Sequence, residues 1–392
     1  MLTMIPGGAL TQLTGAKSML TITGYAIGGL IMLLPLAARG GHLAICGIIA
    51  ACGFMNGPFL PGHYQIKGAW APHDASRAWA ILIMTLGSTW ATMVAGWLTP
   101  FIAGRWGWRA VPFVYGGTII ATTAVWQACA YDSPVAMFSK ARARLDPIPT
   151  GSPAAVGDRM SAPRAEPKVV PRPKARYDAR IVTVKPAIAM IGAQAAGMAI
   201  SNGGGSSIIG AWAPTYYIDV LGVPMSQVGV YLSAPMLVAF VGKVFVAAYE
   251  SWLRKRGTSL LSIRKISNTI AAAFQSSGLF AFSFCKTPTQ ATLAYVWIQI
   301  GGSFNNSGFS SNYLDLGGDE TATFTALANT SAWLVAWLVQ VASVTLRTIT
   351  GSWKPLFWLP CALQVVTSLN FLSNASVSTA RSHLEARNAK RE

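Results

Sequence analysis

The sequence predicts an all-α, multi-pass membrane protein. Of its 392 residues, 52% are apolar and only 11% are charged, and the mean hydropathy is +0.43. Apolar runs of about 20 residues recur along the chain, and a helix of this length crosses the hydrocarbon layer of a bilayer. We predict ten such spans, at residues 18–38, 43–66, 76–102, 109–131, 185–218, 226–250, 264–285, 289–313, 321–346 and 353–373.

A basic segment divides these spans into two groups. Residues 1–131 are expected to form a first helix bundle, and residues 185–374 a second bundle of six spans. Between them, residues 132–184 are rich in Pro, Ala, Arg and Lys and lack apolar periodicity, which is typical of a solvated, disordered cytoplasmic linker. Attraction of this linker to anionic lipid explains its charge, with a docking site for a partner as the alternative. Residues 375–392 form a short basic tail.

The net charge of +17 is explained by orientation in the membrane. With linker and tail in the cytoplasm, most Lys and Arg lie on that side, as the positive-inside rule requires, and nucleic acid is not an expected partner. The five cysteines have no CxxC spacing, so neither a disulfide framework nor a metal site is expected. We expect no cofactor and a monomer, and both the plasma membrane and an organelle membrane are compatible with these features.

The span 185–218 carries residues that a purely structural membrane helix would avoid. Asn202 is followed by the glycine triplet 203–205, and Pro214 precedes Tyr216 and Tyr217. Glycine and proline weaken a helix, and loosened backbone in a membrane is tolerated only beside protein or a water-filled cavity. We therefore predict that this helix lines a polar path for a solute. Helix packing through small residues is the alternative.

A second polar helix is predicted at 289–313. Asn305, Asn306, Ser310 and Asn312 make much of this span polar. Amide groups can bind a carboxylate, a hydroxyl or a neutral solute, so these residues are candidates for the solute path. Hydrogen bonding between helices is the alternative.

Three further candidates lie in other spans. Lys243 is the Lys or Arg placed deepest in a predicted span, and ionisable residues in a membrane are functional candidates. It could attract an anion, or pair with Glu250, or extend toward the basic edge of the span. Asn56 and Tyr64 are two turns apart on 43–66 and could share one face of a helix.

Acidic residues cluster between the last polar span and the next one. Asp315, Asp319 and Glu320 lie within six residues of each other. A carboxylate near a helix N-terminus is stabilising, so we predict that Asp319 caps the helix that begins near Thr321.

Several short motifs follow one another along the chain: Ile5-Pro6-Gly7-Gly8 with Gly15-Ala16-Lys17, Gly57-Pro58 with Trp70-Ala71-Pro72 and Ser76-Arg77, Trp106-Gly107-Trp108-Arg109 with Phe113-Val114-Tyr115-Gly116, Pro214-Thr215-Tyr216-Tyr217 with Ser226-Gln227-Val228-Gly229 and Ser233-Ala234-Pro235, Arg264-Lys265-Ile266 with Asn268, and Leu314-Asp315 with Asn312 and Asn329. In their order and spacing they resemble the anion:cation symporter branch of the major facilitator superfamily, which includes sodium/phosphate cotransporters, vesicular glutamate transporters and sialic acid exporters. The resemblance covers nearly the whole chain except the linker.

The resemblance implies a major facilitator fold of two six-helix bundles that rock around a central site. It implies secondary transport of a small organic or inorganic anion, driven by Na⁺ or H⁺, and no enzymatic chemistry. By that template the first bundle is incomplete, with residues 1–14 as the remaining end of its second helix. Ile5–Gly8 followed by Gly15–Lys17 is typical of a helix end that turns into a tight loop. We therefore expect an N-terminally incomplete sequence, with a true ten-span protein as the alternative.

The chain also departs from the family pattern at charged positions. Ile49 and Asn56 stand where the family commonly has an arginine and an acidic residue, and Asn202 stands at or next to a further polar or basic position. A buried anion needs a compensating charge. A protein that no longer transports, and instead senses or scaffolds through its basic linker, is therefore the alternative function.

Overall fold

The computed structural model describes residues 3–70, 76–138, 178–202 and 207–390, with some positions in 76–100 and residues 202, 225 and 226 described by their backbone alone. This part of the chain is helical and contains no β-strand. The helices of the first bundle are α1 Met4–Thr14, α2 Ala16–Met32, α3 Leu34–Ala37, α4 His42–Met55, α5 Phe59–Trp70, α6 Ser76–Trp106 and α7 Ala110–Cys129. Those of the second bundle are α8 Lys185–Gly197, α9 Ile208–Asp219, α10 Met225–Lys255, α11 Leu260–Phe282, α12 Pro288–Phe304, α13 Ser311–Gly317, α14 Thr321–Thr350 and α15 Lys354–Asn374. The tail forms α16, Ala380–Ala389.

Length and apolar composition mark five stretches of the described chain as able to cross a membrane: Ala16–Gly40, His42–Trp70, Gln227–Lys255, Pro288–Thr350 and Lys354–Asn374. These stretches are long enough to cross the hydrocarbon layer of a bilayer, and exposed Leu, Ile, Phe and Trp side chains lie along them. This apolar surface identifies an integral membrane protein. The all-α fold predicted from the sequence is thus confirmed.

The prediction of one continuous helix over residues 43–66 is wrong. It consists of α4 and α5, separated by a turn at Asn56–Pro58. Pro58 lacks the N–H that would continue α4. A Cβ on Gly57 would lie 2.4 Å from the carbonyl oxygen of Thr3, so the turn allows α1 to approach α5 closely.

Both spans that were predicted to be polar are also interrupted. After α8, the turn Met198–Asn202 is a π-helix, and α9 begins at Ile208, beyond the glycine triplet, which lies outside the described residues. After α12, the π-helical turn Asn306–Ser310 contains Gly308 at φ −79° and ψ −118°, which is not helical. The polar residues therefore lie where these helices break.

The structure also contains the helix end that was expected in the first residues. Ile5–Gly8 lies inside α1, which ends at Thr14, and the tight turn follows at Gly15, whose φ of 95° favours glycine. Most of the linker, residues 139–177, lies outside the described part of the chain. Its last residues, Asp178–Val184, lie against the second bundle and the tail helix α16, with Arg381 of α16 3.3 Å from Asp178.

Candidate functional site

The two bundles are in direct contact on the side of the membrane where the linker ends, here called the linker side. In α1, the Gln12 side chain donates a hydrogen bond to the carbonyl of Asp319 at 3.3 Å and accepts one from Thr323. Closer to the middle of the membrane, Asn329 of α14 donates to the Met4 sulfur at 3.0 Å. A Cβ on Gly8 would lie only 2.6 Å from the Cβ of Ala326. The linker side is therefore closed.

Aromatic and amide side chains continue this contact toward α5. The Tyr64 ring of α5 packs against the Tyr313 ring of α13, with centroids 4.9 Å apart. The Tyr313 hydroxyl donates to Gln194 of α8, and Gln194 in turn donates to Asn329 at 2.6 Å. Hydrogen bonds thus connect α1 to Tyr313, whose ring packs against Tyr64 of α5.

A buried lysine lies at this contact. Lys67 is 8% exposed, and its Nζ lies 4.2 Å from the centroid of the Tyr64 ring. Among the described residues Lys67 has no carboxylate partner, so the face of the tyrosine ring supplies its main compensation. Sequence reasoning missed Lys67 because the predicted span ended at residue 66. A lysine one turn after Tyr64 was the available signal.

A crevice between the bundles contains the second lysine. Lys243 of α10 lines it together with Glu250, Asn306 and Ser307 of the second bundle and Leu82 of α6 in the first bundle. The structure therefore brings together two of the predicted site residues, Lys243 and Asn306. The Asn306 amide nitrogen is buried and has no hydrogen-bond acceptor in the described structure. In this closed state the crevice has a volume of about 10 Å³, room for a single water. Lys243 and the Asn306 amide bring a cation and a donor to it, beside the Glu250 carboxylate that is already paired with arginines.

Below the crevice, a buried ion cluster joins three helices of the second bundle. Arg264 of α11 is fully buried and contacts Glu250 of α10 at 3.0 Å and Asp315 of α13 at 2.9 Å. Glu250 also accepts bonds from Arg254 at 2.7 Å and from the Ser307 hydroxyl at 2.6 Å. These contacts occupy both carboxylates, so the cluster holds α10, α11 and α13 in a fixed arrangement.

The helix-capping prediction for Asp319 is wrong. The residue at the N-cap of α14 is Glu320, and no side chain caps this helix. Glu320 instead accepts two hydrogen bonds from Arg381 of α16, at 2.6 and 2.8 Å. These bonds attach the tail helix to the turn before α14.

Amide side chains form a second polar cluster, which lies within the second bundle. Gln275 of α11 donates to the Ser201 hydroxyl at 2.7 Å, and its oxygen accepts from Asn305 at 3.3 Å and from Gln364 at 3.4 Å. We call these four residues the Gln275 cluster. The Asn305 side chain is 1% exposed, so it does not face lipid.

The other predicted candidates lie apart from the crevice. Tyr216 donates to the carbonyl of Cys285, and Tyr217 is 2.7 Å from the Thr292 hydroxyl, so both tyrosines are engaged within the second bundle. Asn312 donates to Asp315 and to the carbonyl of Ser376, which connects α13 to the start of the tail.

Three candidates lie at the breaks in their helices. Asn56 follows the last residue of α4 and is exposed, so the helix face that it was predicted to share with Tyr64 does not exist. Ser310 lies beside the Tyr64 hydroxyl at the linker-side contact. Asn202 ends the π-helical turn after α8, and its side chain is outside the described residues.

Comparison with known proteins gives a family match over most of the chain. A model described as Major Facilitator Superfamily matches residues 1–341. Probable anion transporter 4, chloroplastic, of Oryza sativa subsp. japonica is 26% identical over 372 residues, covering 93% of this chain and 58% of that protein. The chloroplastic ascorbate transporter of Arabidopsis thaliana is 26% identical over 373 residues, covering 94% of this chain and 64% of that protein. The chain thus spans about three fifths of the length of these two relatives.

A third relative and a solved structure extend the comparison. Sodium-dependent phosphate transport protein 1, chloroplastic, of Arabidopsis thaliana is 25% identical, covering 93% of this chain and 67% of that protein. The structure of a proton:xylose symporter aligns with a TM-score of 0.68 at 13% identity, covering 98% of this chain and 86% of that one. At this identity the structural likeness concerns the fold alone.

Proposed function

Because the chain belongs to the Major Facilitator Superfamily, we propose that it carries a small anion across a membrane by alternating access. The observation that carries this proposal is the crevice above the closed linker side, which is formed by both bundles and contains Lys243. Rocking of two bundles around a midplane site is the mechanism of this fold. A single chain supplies both walls of the crevice, so we propose that the monomer is the transporting unit.

The cations favour an anionic solute. Lys243 shares the crevice with the Asn306 amide nitrogen, which has no hydrogen-bond acceptor in the described structure. Lys67 is buried at the linker-side contact, over the Tyr64 ring. These lysines supply positive charge that the chain lacks at Ile49 and Asn202. An anion that passes from one lysine toward the other would be compensated along the path, as burial in a low dielectric requires. The names of the relatives, which include anion, ascorbate and phosphate transporters, agree with this solute class.

Uptake into liposomes tests the proposal. The purified chain is reconstituted, and flux is measured for phosphate, ascorbate, glutamate, sialic acid and nucleotides under inward Na⁺ or H⁺ gradients. We expect saturable, gradient-driven uptake of at least one anion. Lys243→Met should lower the uptake of that anion strongly, whereas Lys255→Met, an exposed lysine on the same helix, should not.

Two results would contradict this function. Absence of flux for every solute, together with a partner that binds the linker tightly, would favour the sensor or scaffold. Equal loss of anion uptake in the Lys243 and Lys255 variants would remove Lys243 from the solute path.

A further inference from the structure

We propose that the Gln275 cluster binds a sodium ion in the interior of the second bundle. This inference deepens the proposed function, on which it rests for the role of the ion, because Na⁺ bound here would be the coupling ion. The site is separate from the crevice at Lys243 and consists of oxygens from α11, α12 and α15 and from the broken turn after α8.

The hydrogen bonds of the cluster leave oxygen atoms without donors. Asn305 and Gln364 each use their amide nitrogen to donate to the same Gln275 oxygen. The Asn305 Oδ1 and the Gln364 Oε1 are buried and accept no hydrogen bond in the described structure. A buried polar atom without a partner is destabilising. Two such oxygens on the same small cluster point to a ligand that is an electron-pair acceptor.

A third unpaired oxygen lies one to two helical turns farther toward the linker side, on the same two helices. Asn268 of α11 donates weakly to Ser368 of α15, at 3.5 Å, and its Oδ1 is buried without a donor. Unpaired amide oxygens therefore follow the interface between α11 and α15. This line of acceptors is suited to a cation that enters or leaves along the interface.

The cluster lies where two helices change their geometry. Helix α8 passes after Gly197 into the π-helical turn Met198–Asn202, and the position of a Cβ on Gly197 is 3.2 Å from the Asn305 amide nitrogen. Helix α12 ends at Phe304, and the π-helical turn Asn306–Ser310 follows Asn305. Interrupted helices line the ion sites of many transporters.

The neutral side chains select the charge of the ion. Every side chain of the cluster is an amide or a hydroxyl, and oxygen ligands of this kind suit hard cations. A divalent ion in a buried site needs carboxylates to offset its charge, and the buried carboxylates of the described second bundle, Glu250 and Asp315, are paired with Arg264. Amides do not titrate in the physiological range, so a proton is not held here. A monovalent metal ion fits this site, because it needs neither an unpaired carboxylate nor a group that titrates.

Thermal unfolding of the purified full chain, without solute, tests the site. NaCl is titrated against choline chloride at constant ionic strength, with KCl in a parallel series. We expect a saturable rise in Tm with Na⁺, of about 1–2 °C at tenfold excess over the dissociation constant, and no such rise with K⁺. An equal response to Na⁺ and choline would overturn the site, and an equal response to Na⁺ and K⁺ would overturn the assignment to sodium.

Three variants assign the effect to the cluster. Gln364→Met should remove the response to Na⁺, whereas Gln299→Met, a buried glutamine on α12 outside the hydrogen bonds of the cluster, should keep it. If Gln364→Met does not fold, Gln364→Glu still tests the site, since an added carboxylate should lower the midpoint Na⁺ concentration about tenfold. An unchanged midpoint in Gln364→Glu would contradict the proposal.

The unfolding experiment is independent of transport. A response to Na⁺ in a chain that moves no solute would refute the proposed function and retain the site. Anion uptake that runs equally well in choline, with no effect of Na⁺ on Tm, would refute the site and retain the function.

Discussion

Replacing Gly8 with alanine should open the linker side of the protein. An alanine Cβ at this position would lie 2.6 Å from the Cβ of Ala326 and 2.9 Å from the carbonyl oxygen of Ala322. Carbon atoms in contact are about 3.5–4.0 Å apart, so α1 and α14 must separate by roughly 1 Å. Both neighbours are short and one of them is backbone, so neither can rotate away.

The cost of this separation sets the size of the effect. Overpacking by one methyl group costs about 1–3 kcal/mol. In the proposed alternating access the bundles separate on this side in the opposite state, so the cost would fall on the closed state. Since about 1.4 kcal/mol changes an equilibrium tenfold, Gly8→Ala should raise the ratio of open to closed protein roughly 5- to 100-fold.

Disulfide cross-linking measures this change. Gln12 and Thr323 are in hydrogen-bond contact across the bundles, so a Gln12→Cys, Thr323→Cys pair in a background without the five native cysteines reports the closed state. Cross-linking should be slower in Gly8→Ala. The control is Gly29→Ala on α2, where an added Cβ has no atom within 4 Å. Equal cross-linking rates in Gly8→Ala and its parent would refute the close contact between α1 and α14.

Three further predictions concern charged groups. Arg264→Met should destabilise the protein by about 3–5 kcal/mol, because it leaves Glu250 and Asp315 buried without their partner. Chemical unfolding would measure this, and Arg256→Met, at an exposed arginine, should change stability little. Lys67→Met should reduce anion uptake while leaving Na⁺-induced stabilisation intact, and loss of both would indicate a folding defect. Hydrogen bonds and charge from Arg180 and then Arg381 lower the pKa of Asp178, so its contribution to docking of α16 is present above about pH 4 and is lost as pH falls below that value. Hydrogen exchange of residues 380–389 should therefore accelerate in acid in the native chain, and an identical acid response in Asp178→Asn would rule out this contact as the cause.

Features that depend on length and apolar composition were predictable from the sequence. The predicted spans at 76–102, 109–131, 226–250, 264–285, 321–346 and 353–373 correspond to α6, α7, α10, α11, α14 and α15. Any helix that buries its backbone in lipid must have such a run of residues. The family resemblance is likewise confirmed, since it depends on the order of motifs along the chain.

The ends of helices were harder to predict because they depend on distant neighbours. Pro58 could have kinked a continuous helix, as prolines in membrane helices often do. Instead α4 ends, and the turn at Gly57 provides space for Thr3, which lies more than fifty residues away in the sequence. Nothing in the local sequence indicates whether such a neighbour is present.

The same limit applies to the partners of polar residues. Asn305 and Asn306 are adjacent and chemically identical, yet one lies in the Gln275 cluster and the other in the crevice with Lys243. The break in helix geometry between α12 and α13 directs them to different neighbours. Sequence reasoning identified both as polar membrane residues, but it treated them as parts of one site.

The distribution of buried charge favours sodium over the proton as the coupling ion. A proton must be carried by a group that titrates, and Glu250 is the carboxylate that lines the crevice. Its oxygens already accept hydrogen bonds from Arg254, Arg264 and Ser307. Protonation would remove one of the two carboxylates that compensate the fully buried Arg264, and it would also remove the partner of Arg254. Loss of compensation for a buried charge is destabilising. A sodium ion at the Gln275 cluster would require no such loss, because the Asn305 Oδ1 and the Gln364 Oε1 are neutral and accept no hydrogen bond in the described structure.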